Sequence, residues 1–271
     1  MRGENNYSME EFIKLLTYFI IYSFLGWVME SIVRTISEKK LINTGFLHGP
    51  FCPIYGIGAI ILFAFLDKFE NNLILLFFVA IIVLTIWEYV VGWMLEKLFN
   101  TKYWDYSQQK FNIQGRVCLT NSICWGILGV LLVKYIHPFI KSIVLKVDNS
   151  ILKYIIIVIA VLMLIDAIIS IVKVKNIKST LERVEKLNKE IKEKLKEIKG
   201  MKKDTEASKS IENIQKLVNK LKRKRNRTII HLYRNVNRLK KAFPTINTKE
   251  ITEVLSKKID IKKLKKKEKN K

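Results

Sequence analysis

Five apolar segments, each close to the length of a bilayer-spanning helix, decide most of what this chain can fold into. A hydrocarbon core of roughly 30 Å takes about 20 helical residues. The segments at 12–36, 49–66, 71–99, 118–140 and 151–172 meet or approach that length. Polar or turn-forming stretches, SEKK, DKFENN, WDYSQQK and KVDNS, separate them and mark the helix ends. With no water in the bilayer core, such a chain folds as helices that satisfy their own backbone groups. The expected class is all-α: a polytopic membrane protein of about five transmembrane helices, with a helical tail. The second segment is the shortest. Pro50 and Pro53 fall in its expected first turn, where a missing N–H has no helical partner to lose.

Charge divides the chain. Of its 48 Lys and Arg residues, 34 follow Val172, and the formal net charge is +24. Residues 1–172 therefore read as a transmembrane domain and 173–271 as a basic cytoplasmic tail. The opening MRGENNYSMEEF is acidic and no small-residue cleavage site follows its apolar run, so the first helix is expected to stay. Arg34, Lys39 and Lys40 follow the first span, and Lys97, Lys102, Lys110 and Arg116 follow the third. Basic loops stay in the cytoplasm, which places the N-terminus outside and the tail inside. Lys141, Lys146 and Lys153 in the fourth loop run against this trend. Cys52, Cys118 and Cys124 are odd in number and lack metal-ligand spacing, so no disulfide framework, metal or other cofactor is expected.

Within the membrane domain the text repeats. Gly26, Trp27 and Glu30 match Gly92, Trp93 and Glu96 at an offset of 66, and Gly45 and Tyr55-Gly56 match Gly115 and Trp125-Gly126 at an offset of 70. Two two-helix units, 12–66 and 71–140, joined to a fifth span at 151–172, account for the pattern. Two copies of an even number of spans enter the membrane in the same direction. Glu30 and Glu96 should then lie near the cytoplasmic ends of their helices, with His48 and Arg116 introducing the returning helices from that side.

An ionised carboxylate in hydrocarbon costs roughly 2.5 to 3.5 kcal/mol on the insertion scale. Glu96 has the choice of snorkelling beside Lys97, pairing with Arg116 or lining a hydrated cavity. Glu88 lies about two turns further in than Glu96 and must be paired, protonated or facing water. Gly26 and Gly92, four residues before Glu30 and Glu96, would let another helix approach closely, so tight helix packing and a binding site are both open at the same residues. In the loops, Trp104 and Tyr106 suit the headgroup layer. Asp105, Arg116, Asn121 and Ser122 are not needed by an interface anchor, and Asp166 adds an acid on the fifth span.

The runs YSFLGWVMESIVR, GFLHGPFCPIYGIGA, WEYVVGWMLEKLF and YWDYSQQKFNIQGRVCLTNSICWGILGVL, and the IHP at 136–138, resemble in this order the ABC-transporter type IV, CmpB-like, family of membrane proteins. The resemblance covers roughly residues 12–140. It implies a multi-pass protein of the bacterial cell membrane and a permease subunit. It carries over no catalytic or substrate residues, and the tail lies outside it.

In the tail, Ile177, Val184, Ile191 and Ile198 alternate with Leu181, Asn188 and Leu195 on a heptad. A parallel homodimer and an intramolecular hairpin with Ile211, Ile214, Val218 and Leu221 compete for that stripe. The clusters KRKRNR at 222–227 and KKLKKKEKNK at 262–271 suit anionic lipid. Neither has the aromatic platform that would make nucleic acid the expected partner.

Three functions remain open. One is a transport-related, permease-like subunit with an inner-leaflet site among Glu30, Glu88, Glu96, Arg116, His48, Asp105 and Asn121. The chain has no G-x-x-x-x-G-K-[ST] phosphate loop, so this reading requires a separate ATPase partner. Another is a membrane enzyme acting on a lipid or polyprenyl substrate, using Asp105, His48 or the glutamates as acid and base. The last is a scaffold that works through its tail.

Overall fold

The computed structural model describes residues 2–39, 41–66, 69, 71–144, 150–201, 205–244 and 246. Among them every named element is helical: α1 Arg2–Glu38, α2 Pro53–Leu66, α3 Leu73–Phe99, α4 Leu119–Leu131, α5 His137–Val144, α6 Ser150–Gly200 and α7 Thr205–Ala242. A π-helical segment, Leu132–Ile136, joins α4 to α5 without a break, with the His137 N–H reaching back to the Leu132 carbonyl. The cause lies in the sequence. Pro138 has no N–H to continue the α-helical ladder, and the wider turn before it absorbs the mismatch.

Four stretches are long and apolar enough to cross a membrane: Met9–Glu38, Leu73–Phe99, Leu119–Val144 and Leu152–Gly200. The expected second span is different. α2 has 14 residues, about 21 Å at 1.5 Å per residue, which falls short of the apolar layer. Gly49 and Pro50 belong to the preceding loop rather than to the helix, and Pro53 opens it. On α3, Ile74, Phe78, Ile82 and Ile86 form a four-residue stripe, each more than half exposed. A stripe like that is stable facing lipid and costly facing water. α3 starts under an Asn72 cap, whose Oδ1 accepts from the Leu75 N–H at 3.1 Å, and ends at Asn100 in the left-handed conformation.

The described residues divide into two compact units, one within 2–170 together with 241–246, and one within 171–240. In the first, Leu62, Leu66, Leu76, Ala80, Leu84 and Val133 form one buried cluster joining α2, α3 and the π segment. Glycines set how closely these helices approach. A Cβ on Gly56 of α2 would stand 2.3 Å from Ser23 Oγ and 2.6 Å from the Phe19 carbonyl of α1. One on Gly126 of α4 would stand 2.6 Å from Ile81 and 2.7 Å from Phe77 of α3, and one on Gly129 2.6 Å from the Ala80 Cβ.

The second unit is a helical hairpin. Val184 of α6 packs with Ile229, Leu232 and Val236 of α7, and Leu187 and Ile191 pack with Val218 and Leu221. Asn188 Oδ1 accepts from Arg225 Nη1 at 3.2 Å. Ile177, Leu181, Val184 and Ile191 of the α6 stripe are thus covered within the same chain, while Leu195 stays 39% exposed. The cluster at 222–227 lies on α7; the run 262–271 and the loop lysines Lys40, Lys68 and Lys146 lie outside the described residues.

Candidate functional site

Glu88 is the most deeply held acid of α3, only 5% exposed. Three donors converge on it: Tyr106 Oη and Asn121 Nδ2 on Oε1, at 3.2 and 3.0 Å, and Trp125 Nε1 on Oε2 at 2.9 Å. Asn121 Nδ2 also lies 2.7 Å from Tyr106 Oη, so amide, phenol and carboxylate form one network. Three donors on two oxygens is a set built for an acceptor-only carboxylate. It answers the cost of placing an acid in the membrane: the group is hydrogen-bonded on both oxygens by the protein itself.

The other acid of the pair is Glu30 on α1. Tyr55 of α2 lies beside it, and the Cys52 thiol lies 3.9 Å from its Oε2. Tyr55 is also within electrostatic reach of Glu88, and its ring lies 5.8 Å from that of Trp125, which donates to Glu88. Glu30, Tyr55, Trp125 and Glu88 therefore follow one another across α1, α2, α4 and α3. Gly26 makes room for this arrangement, since a Cβ there would stand 2.3 Å from the Tyr55 ring.

The close contacts within the two helix pairs follow a different spacing from the sequence match. Gly56 meets Phe19 and Ser23, and Gly126 meets Phe77 and Ile81, a spacing of 58 on the first helix of each pair against 70 on the second. The same shift takes Glu30 to Glu88. The Gly-Trp-x-x-Glu matches at 26–30 and 92–96 are eight residues out of that register, about two turns. Glu96 does not share the environment of Glu30. Its Oε2 accepts from Arg116 Nη2 at 2.7 Å and Nε at 3.0 Å, while Arg116 lies over the Tyr89 ring at 5.3 Å and also bonds Gln114 Oε1.

The 100–118 loop explains the difference. Gly115 is held at φ +72°, and a Cβ there would strike Asp105 and Ser107. The Asp105 carboxylate accepts the Ser107 hydroxyl and backbone N–H; the hydroxyl contact is the first reason the Asp105 carboxyl sits below its ordinary range. The Tyr106 N–H bonds the Gly115 carbonyl at 2.8 Å. Asp105 thus fastens the loop, and the loop turns Tyr106 inward onto Glu88. Burial, then the Glu88 carboxylate, push the Tyr106 phenol well above its ordinary value. Trp104 also turns inward: Nε1 donates to the Arg116 carbonyl at 2.8 Å, and its ring lies against Gly92, which admits this loop residue instead of another helix. Both aromatics are thus engaged within the protein.

His48 stands apart from the glutamates. Asp166 Oδ2 accepts the backbone N–H groups of His48 and Gly49, both at 2.8 Å, and Oδ1 lies 2.8 Å from His48 Nδ1. Ser170 Oγ, fully buried, lies 2.9 Å from the same Nδ1. Asp and Ser at one ring nitrogen do not make a nucleophilic relay, which needs the base between them. Asp166 instead ties the 41–52 loop to α6. Trp27 Nε1 secures the same loop through Asn43 Oδ1 at 2.7 Å.

Of the seven sequence candidates, the fold joins Glu88 with Asn121 and Glu96 with Arg116, and places Glu30 beside Tyr55. It separates His48 and Asp105 into loop-fastening roles. Tyr55, Trp125 and Tyr106 complete the site; the repeated aromatic-Gly pairs were the signal for the first two. No group of three or more His, Cys, Asp or Glu side chains among the described residues forms a metal-binding set.

No curated protein and no solved structure matches the chain. The family model described as "Putative ABC-transporter type IV" matches residues 17–171, which is more than half of the sequence and takes in every residue of the Glu30–Glu88 network. The chain is a membrane protein and belongs to that family.

Proposed function

We propose that this chain is a transport-related, permease-like subunit whose working site is the Glu30–Tyr55–Trp125–Glu88 network on the cytoplasmic half of the membrane. The observation that carries the reading is Glu88: a carboxylate held by three convergent donors more than ten residues inside an apolar helix. An intramembrane acid lined by polar groups is the usual mark of a substrate or ion pathway. The family description points the same way. The two helix pairs are read as parallel copies aligned at offsets of 58 and 70, with twelve extra residues in the second loop, and this brings Glu30 and Glu88 to corresponding positions. Their loops face the cytoplasm, in keeping with Arg34 and Lys39 beside one and Lys97, Lys102 and Lys110 beside the other.

The enzyme reading loses two of its acid-base candidates, because His48 and Asp105 are engaged in holding loop backbone; the glutamates are common to both readings. On this reading, and in keeping with the family description, energy for transport comes from a separate nucleotide-hydrolysing protein; residues 1–271 contain no phosphate loop. Purification of the chain from its native membrane in mild detergent is expected to recover such an ATPase in stoichiometric amount. A complex shown to be intact and free of any nucleotide-binding protein would overturn the proposal.

A further inference from the structure

Lysine is plentiful along the whole chain, but arginine is not: five of its nine arginines fall within 223–238. On α7, Lys216, Lys220, Arg223, Arg227, Arg234 and Arg238 succeed one another at steps of three, four or seven residues, a spacing that keeps them on one face of a helix. All but Arg238 are exposed. The opposite face carries Val218, Leu221, Ile229, Leu232 and Val236, which pack on α6. No Asp or Glu follows Glu212 on α7, and Glu212 pairs with Lys216 at 2.6 Å. Among the described residues no carboxylate pairs with Lys220, Arg223, Lys224 or Arg227. The helix therefore presents a row of cations running about 27 Å from Lys216 to Arg234. α6 differs, because Lys189, Lys192, Lys196 and Lys199 are interleaved there with Glu190, Glu193 and Glu197.

A row of uncompensated cations fits a polyanion whose charges also lie in a row. Each strand of a nucleic-acid duplex carries one phosphate per roughly 3.4 Å of axis, and the planar fork of arginine takes phosphate oxygens in pairs. An anionic bilayer carries the same charge. A helix that lies on a bilayer inserts its apolar face, however, and on α7 that face is occupied by α6. The aromatic platform missing from the sequence serves single strands; contact with duplex phosphates does not need one. From these observations we infer that the exposed row on α7 binds the phosphate backbone of a nucleic-acid duplex without reading its sequence. The inference uses the hairpin unit alone and is independent of the transport reading.

The test uses the full chain in an uncharged detergent and a short fluorescein-labelled duplex of mixed sequence, made once in DNA and once in RNA, with binding followed by fluorescence anisotropy over a range of salt. A Kd of about 1 to 100 μM is expected at physiological salt. Each neutralised phosphate adds about 0.9 to the slope of log affinity against log salt. Lys220→Gln/Arg223→Gln/Lys224→Gln/Arg227→Gln is therefore expected to flatten that slope by about 3 to 4. Lys189→Gln/Lys192→Gln/Lys196→Gln/Lys199→Gln removes the same charge from α6 and is expected to change it by less than about 1. All of these positions are exposed, so both variants should keep the helix content of the wild type in circular dichroism. A slope that responds with one duplex alone identifies which nucleic acid is bound. The difference between the two variants is also expected to persist when the chain is held in nanodiscs containing phosphatidylglycerol. Equal flattening in both variants, or a wild-type chain that binds neither duplex, would overturn the inference. So would a difference present in phosphatidylcholine discs and abolished by phosphatidylglycerol, which would assign the row to the bilayer.

Discussion

Replacing Glu88 with alanine lowers the stability of the membrane unit by roughly 2 to 5 kcal/mol. The expectation follows from what remains behind. The phenol of Tyr106, the amide of Asn121 and the indole of Trp125 all donate to this carboxylate, and each stranded donor costs about 1 to 3 kcal/mol when buried. Partial re-pairing of Asn121 with Tyr106, already 2.7 Å apart, keeps the total below the sum. Hydrogen bonds between membrane helices are also worth less on average than a water-based estimate suggests. An apolar substitute of the right shape can match a buried ion pair when every partner is replaced as well. Here the partners stay, so Glu88→Leu should be nearly as damaging as Glu88→Ala. Glu88→Gln keeps one acceptor and should lose about half as much. Reversible unfolding in lipid, followed through the fluorescence of Trp125, measures the series. A leucine variant as stable as the wild type would show that the three donors do not depend on the acid.

The second large effect concerns packing instead of polarity. Gly56→Leu should prevent α1 and α2 from reaching their native separation, with a loss above about 3 kcal/mol and little folded protein recovered from the membrane. A Cβ at this position would already stand 2.6 Å from the Phe19 carbonyl, which is backbone and cannot swing aside, and 2.3 Å from Ser23 Oγ. Overpacking that a rotamer change can relieve costs about 1 to 3 kcal/mol; here the helices themselves have to move. Gly56→Ala should fall in that lower range. Gly200, with nothing within 4 Å of its Cβ position, supplies the control, and Gly200→Ala should stay within about 0.5 kcal/mol of the wild type. A Gly56→Leu protein that folds and unfolds like the control would mean that α1 and α2 do not touch through this residue.

Much of the architecture is written in local composition. Helix positions follow from runs of Ile, Leu, Val and Phe punctuated by Asn72, Asn100 and Pro53, because backbone satisfaction in lipid leaves no other fold for such segments. The length of α2 was harder to read. Its apolar text from 49 to 66 includes loop residues whose backbone is tied to α1, with the Cys52 N–H on the Ser23 carbonyl at 2.8 Å, and hydropathy does not distinguish a buried loop from a helix. The burden on Glu88 was legible from its depth alone; for Glu96 the sequence left snorkelling, pairing with Arg116 and a hydrated cavity open, and the ion pair at 2.7 Å is what the fold adds.

The correspondence of the two helix pairs was not legible. Gly-Trp-x-x-Glu is a strong match to the eye, yet contact register depends on which faces meet, and a slip of eight residues turns the helical face by about 80°. Phe19 and Phe77 meet Gly56 and Gly126 respectively, and such isolated identities in apolar text do not stand out. The role of Tyr106 was equally hidden. An aromatic residue in a loop next to a span suits the headgroup layer, and only the turn at Gly115, fastened by Asp105, directs the side chain into the helix bundle.

The central claim is that both helix pairs enter the bilayer from one side, so that Glu30 and Glu88 meet in a single polar site beneath the cytoplasmic face. Sidedness of the two loops tests it most directly. In a background with Cys52, Cys118 and Cys124 replaced by serine, Leu41→Cys and Gln108→Cys introduce single thiols at exposed loop positions. Both should react with a membrane-impermeant maleimide in inside-out vesicles and resist it in intact cells; thiols that label from opposite faces of the membrane would contradict the account.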